Sequence, residues 1–353
     1  MGSKIYFKII AIGFLLISNF CCSQKKSGID LIPKTTIYKI SKDVSVVSID
    51  SLIKNNTLDK VESKSSQGFS QAFYWVHFQI PTTYSEPLIE LDNSHLNNVL
   101  LYKKSNATFS LIGFGGDKGR VFNERSYLNR RFIFPIENND TYSSYYLKVD
   151  GRNSEVHFPL WLWEKQDFEN KESKANIYYG LFFGMLLFIS FLSIITSIVI
   201  RKTIFLFYGL YTVFMGMYLF TYLGFSFQYL YPNHLTLNNY TRFPTIVVFV
   251  ISLILFLQRF LNIKQNLPRL FRYYNLVIGV FVFNFLTWAI FTDYYVANAN
   301  EWLNLLYGFI FTVLLLAFYA AFKELKFNKR NSIIFFIAFS FVFLGIILFV
   351  LAQ

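Results

Sequence analysis

The chain has 353 residues, of which 54% are hydrophobic and only 15% charged, and its apolar residues are gathered into long runs in the second half. That distribution excludes an ordinary soluble enzyme. The net charge of +12 does not make a nucleic-acid face, because most of the excess lies in short connectors between the apolar runs.

Residues 1–23 read as a secretory signal peptide. Lys4 and Lys8 supply a positive start, an apolar stretch follows from Ile9 to Phe20, and Cys21, Cys22 and Ser23 are small residues at a cleavage site. Phe20 and Asn19 make a poor lipobox, so acylation of Cys21 or Cys22 is left open. With the signal removed, no cysteine remains to staple the exported part. Residues 24–71 are expected to be a polar lead-in, rich in Ser, Lys and Asn.

From Ala72 the pattern becomes that of strands, and the exported domain is placed at residues 72–164, with a start as early as about residue 36 left open. In the run from Tyr74 to Ile80, alternation puts Tyr74, Val76, Phe78 and Ile80 on one face and Trp75, His77 and Gln79 on the other. Further short strands follow at 88–91, 97–102, 108–112, 131–136, 144–149 and 156–162, separated by turn residues, including a glycine-rich stretch from Gly113 to Gly119. Many short strands without a clear helix predict an all-β, jelly-roll-like antiparallel sandwich. The glycine stretch lacks the order and following helix of a phosphate loop and is expected to be a hairpin loop. His77, His95, His157 and His234 show no metal-ligand spacing, and no nucleophile elbow is present. No catalytic residue, metal or cofactor is therefore expected.

The loop from Asn123 to Arg131 is the candidate ligand contact. Within it Glu124, Arg125, Tyr127 and Arg131 combine forked donors with an aromatic ring, chemistry suited to a sugar, a carboxylate or a peptide. The alternative is a solvated loop whose arginines pair with nearby acids. Trp161 and Trp163 share a strand face and suit either sugar stacking or packing near the membrane.

Residues 165–176 are charged and expected to be a linker or a helical cap entering the first span. Residues 177–353 then form an all-α polytopic helix bundle in the lipid bilayer, with six visible spans at 177–200, 204–223, 243–257, 273–292, 302–322 and 333–351, each near the roughly 20 apolar residues a crossing needs. Connectors after the first, third and fifth spans hold ten cations, Arg201, Lys202, Arg259, Lys264, Arg269, Arg272, Lys323, Lys326, Lys329 and Arg330. Those after the second and fourth hold Arg242, Asp293 and Glu301. The positive-inside rule places everything before residue 177 outside the cytoplasm. Pro244 is expected to open the third span. Gly180 and Gly184 form a small-xxx-small pair suited to close helix packing or to lipid, and homodimerisation is left open. Mid-membrane ionisable groups, which a transporter or membrane-embedded enzyme needs, are scarce.

Several stretches resemble one family. They are Tyr74 to Phe78, Val99 to Tyr102, Glu124-Arg125, Arg131 to Pro135, Tyr145 to Val149, Phe158 to Leu162, Tyr178 to Gly184 and Phe205 to Tyr211. Their order is similar to that in bacterial seven-transmembrane receptors with diverse intracellular signalling modules (7TMR-DISM), in the class with a carbohydrate-binding-like jelly-roll extracellular domain. The resemblance implies a receptor in the bacterial inner membrane, its N-terminal domain periplasmic, that senses a small-molecule or carbohydrate ligand and relays through its helices to a cytoplasmic effector. The sequence stops after the sixth span, so it is expected to be a fragment, with the effector in a part not seen. The competing classes are a transporter or membrane enzyme with an accessory domain, and an anchor that displays the sandwich to protein partners.

Overall fold

The computed structural model describes residues 28–81, 84–105, 108–117, 119–137, 142–152 and 154–351. The expected signal peptide, with Cys21 and Cys22, lies outside the described residues. Within them the chain forms two compact units, one of residues 28–256 with 275–310, the other of residues 257–274 with 311–351.

The first unit begins with a β-sandwich. One sheet has four strands in the order β1 (Ile29–Asp30), β12 (Leu160–Glu164), β6 (Pro87–Leu91), β9 (Phe132–Pro135). The other has six, in the order β3 (Lys60–Val61), β2 (Thr36–Ile40), β5 (Phe73–Pro81), β10 (Tyr142–Asp150), β7 (Asn98–Ser105), β8 (Thr108–Gly115). A further pair, β4 (Ser66–Ser70) with β11 (Ser154–His157), closes one side, and the strands pair antiparallel throughout. Period-two alternation explains the core. Tyr74, Val76, Phe78 and Ile80 of β5 face Ile89, Leu91, Phe132, Phe134, Leu160 and Leu162 of the smaller sheet, all buried. The other face of β5 carries Trp75 and His77, as the alternation predicts.

Within the sandwich, two stretches differ from expectation. The segment read as a polar lead-in supplies β1 to β4, with Ile37 wholly buried, and a helix, α1 (Val46–Lys54). Ser45 caps α1 by accepting a hydrogen bond from the Ser48 amide at 3.2 Å. This helix covers the outer face of the six-stranded sheet, packing Ile49 against Tyr38, Trp75 and Tyr146. Gly113 and Gly115 are strand residues of β8, not loop. A Cβ at Gly113 would come within 2.3 Å of the Phe134 ring and one at Gly115 within 2.4 Å of Phe132, so glycine is required where the opposite sheet's phenylalanines press in.

Helices follow: α2 (Lys165–Ile200), α3 (Thr203–Tyr222), α4 (Phe225–Tyr229), α5 (Leu235–Phe260), α6 (Ile263–Asn266), α7 (Pro268–Ile290), α8 (Thr292–Ala297), α9 (Ala299–Glu324) and α10 (Lys329–Leu351). Among the described residues, four of these, α2, α3, α5 and α7, are long and apolar enough to cross a membrane. The fifth and sixth expected spans fall on α9 and α10. The charged 165–176 stretch forms the opening turns of α2, a helix of 36 residues, which is the helical one of the two alternatives. Helix α5 starts at Leu235, so Pro244 lies inside it rather than opening it. In the second unit, Asn266 donates to Glu324 at 2.5 Å, Asn331 donates to the Phe260 carbonyl at 2.9 Å, and Phe318 packs against Phe335 and Phe339.

Candidate functional site: a joint between sandwich and helices

The chain leaves β12 directly into α2, and the first turns of α2 lie back over the outer face of the four-stranded sheet. Phe168 packs with Leu88, Ile133 and Trp163 beneath it, and Tyr127 meets Phe168 edge-on at 5.8 Å. In the middle of this face stands Glu90, wholly buried in the otherwise apolar strand β6. A buried carboxylate is tolerable only when charged and neutral donors surround it. Here Arg131 donates from Nη1 at 2.7 Å, Trp163 from Nε1 at 2.7 Å, and Lys171 from Nζ at 2.6 and 2.9 Å. Arg131 also reaches Asp92 at 2.7 Å and Glu172 at 3.7 Å, and Arg130 lies 3.4 Å from Glu172. Three acids thus meet three bases across β6, the loop before β9, and α2.

The titration behaviour follows from this crowding. Burial pulls the Lys171 ammonium down, with Glu90 opposing it. For Arg131 burial acts the same way, but Asp92, Glu90 and Glu172 outweigh it and hold the guanidinium above its usual range.

The loop at 125–131 is organised by Arg125, which is buried. Its Nη1 donates to the Asn129 carbonyl at 2.8 Å. Its guanidinium lies 4.7 Å from the Phe132 ring, 4.8 Å from Phe122 and 5.5 Å from Phe227 of α4. Burial lowers its pKa to about 10, with Asp117 acting in the opposite sense, so it stays charged at neutral pH. Arg130 is buried too, its guanidinium 4.8 Å from Tyr179 of α2 and 4.9 Å from Phe225 of α4.

A second contact joins the sandwich to the α3–α5 connection. Two loops that cross between the sheets, β6 to β7 and β8 to β9, take part. His95 places Nδ1 3.0 Å from Asp117, while its Nε2 donates to the Tyr222 carbonyl at 2.7 Å. Asn238 of α5 donates to Asp117 at 3.0 Å. The Phe122 amide donates to the Pro232 carbonyl at 2.9 Å, and Asn123 donates to Asn233 at 2.7 Å. Gly224, between α3 and α4, has φ +81°, and a Cβ there would lie 2.9 Å from Ser94 Cβ and 3.3 Å from Arg130 Cβ. Glycine is required both for the left-handed backbone and for the close approach.

Below the joint, α2 and α3 touch at Gly209, whose carbonyl accepts from Ser190 Oγ at 2.7 Å and where a Cβ would lie 2.9 Å from Ile194. Aromatic rings continue from α3 to α5: Tyr218 stacks on Phe249 at 5.9 Å, and Tyr211 on Phe249 and Phe256. At Gly180 and Gly184, in contrast, an added Cβ meets nothing within 4 Å, so the close approach within this chain is at Gly209.

The four residues singled out in the sequence share one loop but not one open surface. Glu124 is exposed at the end of a 3-10 turn, Arg125 is enclosed by rings, Tyr127 rests on Phe168, and Arg131 is paired with Glu90 and Asp92. Trp163 is buried under α2. Glu90, Asp92, His95, Asp117, Lys171, Glu172 and Gly224 were not foreseen. A lone charge inside the apolar strand Pro87–Leu91 was the signal that Glu90 gave.

A β-sandwich keyed by buried ion pairs onto a polytopic helical part has the architecture of a transmembrane receptor. Residues 44–164 match the family described as 7TMR-DISM extracellular 2, and residues 175–353 match 7TM diverse intracellular signalling. The chain belongs to the 7TMR-DISM family. No curated protein matches it.

Proposed function

We propose that this chain is the sensing and membrane part of a bacterial inner-membrane receptor. The sandwich lies on the periplasmic side and binds a small ligand, of which a carbohydrate is the leading class. The candidate contacts Glu124, Arg125, Tyr127 and Arg131 lie in the loop that also holds the sandwich to the helices, so a ligand seated on them acts on the joint directly. A ligand shifts helix packing only through unequal affinity for two arrangements, and a coupling of about 1–3 kcal/mol is the usual scale. The output passes to a cytoplasmic effector.

The observation that carries this reading is the joint itself: six charged groups and a tight glycine bind the sandwich to α2 and to the α3–α5 connection. The test titrates the chain in nanodiscs with a panel of oligosaccharides and small metabolites. It reads both the unfolding temperature and the distance between probes on Asn56 and Lys202. A binder that moves both is expected. Failure of every panel member to bind, or binding with no change in distance, overturns the relay. Orientation is tested separately by reporter fusions at Lys326 and Asn238, expected in opposite compartments because of the cation distribution.

A further inference from the structure

Large apolar side chains are seldom exposed on the sandwich. Among the described residues before α2 they are Val47, Leu111 and Leu128, with Val47 60% and Leu128 56% exposed. Leu128 is the one flanked by helix contacts. Tyr127, before it, packs on Phe168. Arg130, two residues after it, lies against Tyr179 and Phe225. Those contacts bracket the loop between Phe168, in the charged turns of α2, and Tyr179, about 16 Å further along the helix. The helix is charged up to Lys174 and apolar from Ile177, and Ile177, Tyr178 and Leu181 are exposed. Tyr179 therefore stands in the first apolar turn. On the other side of Arg130, Phe225 is stacked by Tyr229 at 6.1 Å, and Tyr229 and Leu230 are exposed as well.

The loop thus holds a bare leucine between the charged turns of α2 and its first apolar turn. Tyrosines and aliphatic groups at that level mark the boundary between headgroups and acyl chains. Arg130 and Arg131 pair with Glu172, Glu90 and Asp92, so the apolar contact of the loop rests on Leu128.

We infer that the loop at 126–130 is a membrane-contact tip, with Leu128 seated in the headgroup–acyl boundary of a phospholipid bilayer, continuous with the lipid-facing surface of Ile177, Tyr178, Tyr229 and Leu230. The contact is apolar and does not depend on a sensed ligand. It makes the lipid part of the joint's environment, since Leu128 moves with Arg130 and its partner Glu172.

The test uses the full chain with Cys21 and Cys22 replaced by serine, reconstituted in phosphatidylcholine nanodiscs. Nitroxide labels are placed in turn at Leu128→Cys, at Val47→Cys as the water-exposed reference and at Tyr178→Cys as the lipid-exposed reference. Each label's collision with oxygen, which concentrates in acyl chains, is compared with its collision with an aqueous nickel chelate. All three side chains are exposed, so the fold tolerates the changes, and an unaltered unfolding temperature verifies this. The Leu128 label is expected to match the Tyr178 label in its oxygen-to-nickel ratio. A ratio nearer that of the Val47 label overturns the contact.

Discussion

At the residue scale, buried carboxylates hold the sandwich together on both of its outer faces. On the side away from α2, Asp50 of α1 accepts from Lys104 at 2.6 Å and Tyr146 at 2.7 Å, and pairs with Lys54 at 2.9 Å. Burial pushes its carboxyl up, but these donors outweigh it and hold the pKa down at about 2. An unfolded aspartate titrates near about 4, so the folded state favours the ionised form. The stability this contributes is complete above about pH 4 and disappears as the pH falls towards about 2. The unfolding midpoint of the wild type is expected to drop through that window, and the Asp50→Asn variant, already lower at neutral pH, is expected to drop less. A parallel decline of the two would remove Asp50 as the cause. On the α2 side, Arg131→Gln takes one charged partner from Glu90 and leaves Lys171 and Trp163. Breaking a buried pair costs about 3–5 kcal/mol, and the remaining donors put the expected loss near about 3 kcal/mol. It is measured as a fall in the unfolding midpoint that Lys171→Met deepens.

At the scale of elements, the turn between α3 and α4 is the narrowest point of the joint. Gly224→Ala adds a methyl group against Ser94 and places it at a positive φ. Overpacking costs about 1–3 kcal/mol, with up to about 1 kcal/mol more for the backbone. Ser94→Gly removes the obstructing Cβ, so the double variant is expected to recover most of the packing loss and none of the backbone cost. A double-mutant cycle on unfolding midpoints reads the difference, and simple additivity would show that the two residues do not touch. The elements also show what could be read in advance. Strand β5 was legible because its two faces differ in chemistry at period two, a local property. The glycines of β8 and the charges of 165–176 were not, because their reasons are distant in the chain. Gly113 and Gly115 make room for Phe134 and Phe132, and Lys171 and Glu172 answer Glu90 and Arg130. The arginine-rich loop stood out in the sequence, yet its partners Glu90, Asp92 and Glu172 lie in other elements, so its pairing could not be inferred from spacing.

At the scale of the whole molecule, the first unit links a sandwich to helices through two attachments, one on α2 and one on the α3–α5 connection, while α2 continues unbroken from the sheet surface into its apolar turns. Residues inserted between Glu172 and Ile177 would turn the upper part of α2 by about 100° each and lengthen it by about 1.5 Å each. In a receptor with a single helical stalk, seven added residues nearly restore the angular phase and with it the response. Here the same heptad lifts the sandwich by about 10 Å and pulls Ser94 and His95 away from Gly224 and Tyr222. Heptad and non-heptad insertions are therefore expected to fail alike, losing the protection of the Asn238 and Gly224 region from hydrogen exchange. Rescue by the heptad alone would show the second attachment to be dispensable. The outer module is thus moored at two berths, and no change in stalk length can be hidden by rotation.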